Sequence, residues 1–179
     1  MATWRPLTPA DIPSLMAIAD KIHSALPERP EIFAERIALY PAGCLALETT
    51  TANNNDDNVS SKPRMVGYAI SHPIRRRQPP ELDTLLGEIP ADADAYYIHD
   101  VAVVPEARGM GYAGQAVEKL LGVAGGFEVV CLVSVYGTQG FWGRFGFKPV
   151  DMDVGDQGLR GKVEGYGGDA VYLERKGWC

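Results

Sequence analysis

The stretch "HDVAVVPEARGMGYAGQAVEKLL", His99 to Leu121, constrains this chain more than any other. An apolar run stops at Pro105, turns, and opens into a helix through Gly109, Gly111 and Gly114. Small residues at such an entry let consecutive backbone N–H groups approach an anion, and the helix dipole adds favourable potential there. The glycines spell G-x-G-x-x-G, so the first question is which phosphate they would hold. A dinucleotide turn sets its first glycine at the strand end, with an acidic residue about 20 positions on at the tip of the next strand. Here Pro105 to Arg108 intervene, and Glu128 stands at the start of the following strand. Both tests fail. A loop-to-helix pyrophosphate cradle flanked by Arg108 survives; the alternative is a glycine-rich turn with no ligand.

The rest of the chain supplies a frame for that loop. Trp4–Thr8 reads as a short strand or strand end. A helix follows, with Thr8 as N-cap, Pro9 in its first turn, and Leu15, Ile18, Ala19 and Ile22 on one face. Pro30–Pro41 reads as a second helix with Ile32, Phe33, Ile37 and Leu39 or Tyr40 inward. A strand from Gly43 to Thr49 and another over Arg64–Ile74 form a hairpin, joined by the polar, Asn-rich, low-complexity insertion 50–63. A short helix is expected around Leu82–Leu86, a strand over Tyr96–Val104, and a helix carrying Ala113, Ala116, Val117, Leu120 and Leu121 to its stop at Gly125-Gly126. Phe127–Val135, almost wholly apolar, suits a central strand. A short helix at "GTQGFWGRF", a strand at "GFKPV" and a last strand over Asp169–Lys176 follow. The order predicts one α/β (α+β) domain over 1–179: a mixed, mostly antiparallel sheet flanked by helices, with one parallel strand–helix–strand crossover.

Composition narrows the function. Seventeen basic residues against 23 acidic ones leave a net charge of −6, which argues against nucleic acid as a partner and suits a cationic substrate or plain solubility. Met1 to Leu15 has no basic segment before a long apolar one, and the run near Val129–Val135 is too short to span a bilayer. Of the three cysteines, Cys44 and Cys131 sit in strands and Cys179 comes last, with no metal-ligand spacing. The expectation is a cytoplasmic protein with reduced structural cysteines, no metal and no membrane partner. Asn58-Val59-Ser60 matches a glycosylation sequon by chance.

"VAVVPEARGMGYA" resembles the acetyl-CoA signature of the GNAT N-acetyltransferase superfamily: a strand, a proline, then R-x-x-G-x-A on Arg108, Gly111 and Ala113. "FWGRFGF" resembles the family's second signature, with Phe141, Gly146 and Phe147 in place. The resemblance implies a GNAT fold and acetyl-CoA as cosubstrate. It implies that Val101, Ala102 and Val103 bind the pantetheine arm. Arg108, Gly109, Met110, Gly111, Tyr112, Ala113 and Gly114 would hold the pyrophosphate, and the thioester would sit where the two central strands splay apart. Many members protonate the leaving thiolate with a tyrosine where this chain has Trp142. An indole N–H is a donor and no useful acid, so Trp142 would pack against the cofactor, leaving Tyr136, Ser134, water or nothing as the acid.

Acetylation needs a neutral amine, hence a group able to take a proton near neutral pH. Strand alternation sets Tyr97, His99, Val101 and Val103 on one face, with Asp100 opposite unless a bulge turns it inward. His99 is then the candidate general base. His99 and Tyr97 also resemble the catalytic strand positions of arylalkylamine N-acetyltransferases, and "HDVAV" resembles the same strand of glucosamine-phosphate acetyltransferases. The expected activity is acetyl transfer to a small primary amine, arylalkylamine or polyamine, by a monomer or homodimer with Tyr97 and Tyr136 assisting. The alternatives are an amino sugar or protein N-terminus as acceptor, or a CoA-binding module without catalysis. His23 reads as a surface residue and His72 as a candidate for the acceptor cleft. Arg75-Arg76-Arg77 reads as a solvated run. Asp83, Glu88, Asp92 and Asp94 are either loop charges or an attraction for a cationic amine, and Leu82, Leu85 and Leu86 a possible apolar lid.

Overall fold

The computed structural model describes residues 1–49, 63–152 and 156–177. Most of the Asn-rich insertion, its sequon and Cys179 lie outside them. Seven strands form one sheet in the order β1-β2-β3-β4-β5-β7-β6. They are β1 (Ala2–Pro6), β2 (Cys44–Thr49), β3 (Arg64–Ile74), β4 (Ala95–Val103), β5 (Val129–Ser134), β6 (Lys148–Pro149) and β7 (Val171–Lys176). Every pairing is antiparallel except β4 with β5. That one parallel pair is the expected crossover, made through α3 (Tyr112–Val123).

The helices pack where their apolar stripes require. In α1 (Ile12–Ile22) Leu15, Ile18 and Ala19 are buried; in α2 (Pro30–Leu39) Ile32, Phe33 and Ile37 are. Both cover one face of β2–β4. Thr8 caps a 3-10 turn, Pro9–Asp11, that leads into α1, and its N–H donates to the Asp11 carboxylate at 2.8 Å. On the other face, Ala116, Val117, Leu120 and Leu121 of α3 pack with Tyr96, Ile98, Val130, Leu132 and Trp142. Trp142 belongs to the short α4 (Gln139–Gly143).

One expectation is corrected, and one element had not been anticipated. Leu82–Leu86 is not helical. Asp83 takes a left-handed φ of 55°, and the N–H groups of Leu86 and Gly87 go to the Glu35 carboxylate at 2.7 and 2.9 Å. The buried Arg36 guanidinium donates to the Thr84 carbonyl at 2.8 Å. Side chains of α2 thus take the backbone groups a helix would use internally. Conversely, α5 (Gln157–Glu164) forms where glycines hide its periodicity, and buries Leu159 and Val163 beside Tyr97, Cys131 and Tyr172.

Candidate functional site

The site begins where the central strands part. β4 and β5 pair only from Tyr96–Val130 to Ile98–Leu132, while β4 continues to Val103 and β5 to Ser134. Beyond the last pair a cleft of about 870 Å³ opens, bordered by Val101, Ala102 and Val103 on one side and by the turn into α3 on the other. The expected splay is there.

The turn has the geometry of an anion cradle. Gly109 and Gly111 adopt φ of 80° and 78°, and a Cβ on either would meet nothing within 4 Å. Gly111 is the N-cap of α3, and its carbonyl takes the first helical bond, from the Gln115 N–H at 3.1 Å. The N–H groups of Tyr112, Ala113 and Gly114 precede that bond and have no acceptor inside the helix. The Trp4 indole N–H donates to the Tyr112 carbonyl at 3.2 Å, tying the turn to β1. The Arg108 Nε–H donates to the Val103 carbonyl at 3.2 Å, which seats its charge beside the cradle. Arg108, Gly109, Gly111, Tyr112, Ala113 and Gly114 all border the cleft. Met110 is 66% exposed and does not.

A second, small cavity of about 40 Å³ meets the cleft, and His23, His99, Asp100, Val133 and Val135 border both. The register explains why two adjacent polar residues reach this junction. Ile70 pairs with Asp100 and Ser71 with Ile98, so His99 is an extra residue on β4. Such a bulge breaks the alternation and turns both residues to one face. Tyr97, His99, Asp100 and Ala102 therefore share the sheet face covered by α1, α2 and α5, with Tyr97 against α5, and Val101 faces α3. This corrects the predicted face of Tyr97, His99, Val101 and Val103, and brings Asp100 inward.

Each polar residue of the bulge has a partner. His99 Nε2 lies 2.9 Å from Glu28 Oε2, and the side chains are 1% and 8% exposed. Burial alone would raise the Glu28 carboxyl, but its interaction with His99 outweighs that and holds it below the usual range. The carboxylate thus takes the proton on Nε2, and the buried Nδ1 has no protein partner among the described residues. Asp100 accepts from the Tyr68 hydroxyl and lies 3.1 Å from His23 Nε2, near enough for an ion pair although the ring N–H is poorly aligned for a hydrogen bond. Burial opposes charge on Asp100 and on His23. Their mutual attraction prevails, lowering the carboxyl and raising the imidazole.

Several sequence-predicted residues sit elsewhere than expected. His23 is no surface residue: it closes α1, is 16% exposed and stacks on Tyr136 with ring centroids 5.7 Å apart. Tyr97 is fully buried beside Cys131 and lines neither cavity. His72 lies under His99, also away from both, its Nδ1 donating to the Pro73 carbonyl at 3.1 Å. Burial, with His99 nearby, drives the His72 pKa down to about 3. Arg75, Arg76 and Arg77 are not a free solvated run; they pair with Asp92, Glu174 and Asp156. Asp83 pairs with Arg29, and Asp94 accepts the Arg76 N–H, so the acids at the small cavity are instead Asp20, Glu28 and Asp100. Of Leu82, Leu85 and Leu86 only Leu82 reaches that cavity. The bulge gave no sequence signal. His23 ends α1 and Glu28 lies in the α1–α2 loop, and no motif marks either in the sequence.

The model of the acetyltransferase (GNAT) family matches residues 21–147. The chain belongs to the GNAT acetyltransferases. No curated protein matches it by sequence. Among solved structures it is similar to Ard1 from Thermoplasma volcanium, at 17% identity over 99% of each chain with a TM-score of 0.68. It is also similar to the loading GNATL domain of CurA from Lyngbya majuscula, at 15% identity over 98% of each chain and a TM-score of 0.72. N-acetylglutamate synthase from Neisseria gonorrhoeae, complexed with coenzyme A and N-acetyl-glutamate, matches all of this chain (100%) and 36% of its own at 19% identity, TM-score 0.67. At such identities the likeness carries the GNAT fold. The GNAT cosubstrate, acetyl-CoA, fits what the site offers: free helix N–H groups over open space, a cation beside them, and a splayed strand with unpaired backbone. Trp142, 8% exposed, touches the cleft but packs edge-on to Phe141 and Phe147, more core than surface.

Proposed function

We propose that this GNAT acetyltransferase transfers acetyl from acetyl-CoA to a small primary amine of arylalkylamine or polyamine type, with His99 as general base. The observation that carries the reading is the junction of the two cavities, where His99 borders both and its buried partner Glu28 lines the smaller one. Arg108 and the turn 109–114 hold the pyrophosphate, and residues 101–103 hold the pantetheine arm along the open edge of β4. Bound acetyl-CoA supplies the activated acyl group. The acceptor reaches His99 from the cleft, and Asp20, Glu28 and Asp100, which line the small cavity behind that histidine, draw a cationic head. His99 then takes the amine proton on Nδ1, while Glu28 holds the ring in that tautomer. Tyr136 keeps a phenol proton at the mouth of the cleft, where burial raises its pKa. Tyr97 supports His99 from beneath, with ring centroids 6.0 Å apart.

The test joins a binding and a turnover measurement. Acetyl-CoA should raise the Tm and NAD should not, because only a ligand of the native state stabilises it. On a panel of arylalkylamines, polyamines, amino sugars and free peptide N-termini, the first two classes should release CoA fastest. His99→Ala should lower kcat/KM by roughly 10²–10⁴-fold, leave acetyl-CoA binding intact, and abolish the acidic limb of the pH profile. Near-normal turnover with the same limb would show that His99 only packs.

A further inference from the structure

The reaction leaves a proton on a ring that is almost wholly buried. His99 is 1% exposed, and its Nε2 is committed to Glu28. Across the small cavity stands a second histidine–carboxylate pair, His23 with Asp100, and acetyl transfer by His99 assigns its histidine no task. The space between them, about 40 Å³, has room for a water. His23 differs from His99 in being 16% exposed, at the end of α1, with its ring laid on Tyr136, which is 45% exposed.

We propose that His23, held by Asp100, is the proton outlet of the active site. This rests on the acetyl-transfer reading. As the C–N bond forms and the C–S bond breaks, the amine proton passes to His99 Nδ1. It then crosses one water in the small cavity to His23 Nδ1, the nitrogen not turned to Asp100, and leaves to bulk solvent. The thiolate is protonated separately. Both histidines end neutral, ready for the next turnover. The groups facing His23 suit a relay. Asp100 from β4 and Glu28 from the α1–α2 loop favour its charged form, Arg108 opposes it, and Tyr136 covers one ring face. Their balance raises its pKa above the ordinary imidazole value, which favours the proton on this ring.

The experiment compares His23→Phe, which keeps a ring on Tyr136, with His23→Ala, using the amine that the wild type turns over best. Both should lose kcat by about 10–10²-fold with KM for acetyl-CoA unchanged. Added imidazole should restore much of kcat in His23→Ala, because a small base can occupy the vacated site, and little in His99→Ala, where the bound amine itself takes up the space before the lost base. Asp100→Asn should move the acidic limb of the His23-containing enzyme to lower pH. The acetyl-CoA-induced rise in Tm checks that each variant folds. A kcat within twofold of wild type in His23→Phe, with the same limb, overturns the outlet while leaving acetyl transfer by His99 standing. Loss of kcat that imidazole leaves unrestored in His23→Ala also overturns it. A wild type that acetylates no amine would sink the underlying reading instead.

Discussion

At the scale of single residues, the site is built from pairs in which a carboxylate fixes an imidazole. The bulge at His99 makes this possible, because a regular strand would send Asp100 to the α3 face and leave His23 facing an apolar wall. Trp142 tests the same scale from the cofactor side. It stands where an acid would be expected, yet its indole is wedged among Phe141, Phe147 and the buried face of α3. Trp142→Phe keeps an aromatic face but leaves part of the indole volume empty. The expected stability loss is about 1–2 kcal/mol. The change should raise KM for acetyl-CoA modestly and leave kcat within about tenfold, since packing contacts are made equally in the ground and transition states. Steady-state kinetics beside a thermal melt decide this. A collapse of kcat with intact acetyl-CoA binding would give the indole a catalytic part. Tyr136→Phe is the companion variant, and its larger loss of kcat would identify the phenol as the thiolate's acid.

At the scale of elements, the turn into α3 carries the most function for its length. Gly111 caps the helix at φ 78°, a conformation that costs an L-residue with a Cβ roughly 1–2 kcal/mol. Gly111→Ala should therefore lower the Tm by a few degrees. Because the new methyl points into the open space before the helix N–H groups, it should also weaken acetyl-CoA tenfold or more by calorimetry. A normal acetyl-CoA-induced shift in that variant would remove the cradle from this turn. The turn was legible in the sequence because strand, proline, glycines and helix are contiguous, and each obeys a local rule. The succession of strands and the one parallel crossover could be anticipated for the same reason, from apolar runs of the right length. What could not be read depends on partners far along the chain. The segment Leu82–Leu86 has helical leucine spacing, but Glu35 and Arg36 of α2 claim its backbone. In α5, Gly158 and Gly161 dilute the pattern, and only the apolar floor made by Tyr97 and Tyr172 selects the helix. The bulge follows from the registry of two strands and has no signature in either. Hence His99 was legible as a candidate, while Glu28, Asp100 and His23 needed the fold to bring them to it.

At the scale of the molecule, the sheet divides the core between the α1–α2–α5 side and the α3–α4 side, and the titrating groups of the junction lie on the first. That placement makes stability depend on pH in a definite order. Asp11, held low by its hydrogen bond from Arg5, and Glu28 and Asp100, held low against burial by their histidines, contribute stability above their unfolded pKa values and lose it only under more acid conditions. His23, with a raised folded pKa, contributes below its unfolded value of 6.5, and that contribution is lost as pH climbs through the folded one. His72 works in the opposite sense. Its folded pKa of about 3 lies below the unfolded 6.5, so the unfolded chain binds the proton first and stability falls as pH drops through that window. Between pH 6.5 and 4.5, above the carboxylate range, the loss should reach roughly 2–3 kcal/mol. A drop of about 5–10 °C in Tm corresponds to that for a chain of this size. His72→Phe removes the titrating ring, so its Tm should be nearly flat over the same interval, whatever its offset at neutral pH. Parallel Tm-against-pH curves for wild type and His72→Phe would mean that His72 titrates normally, and that the layer under His99 is wet rather than sealed.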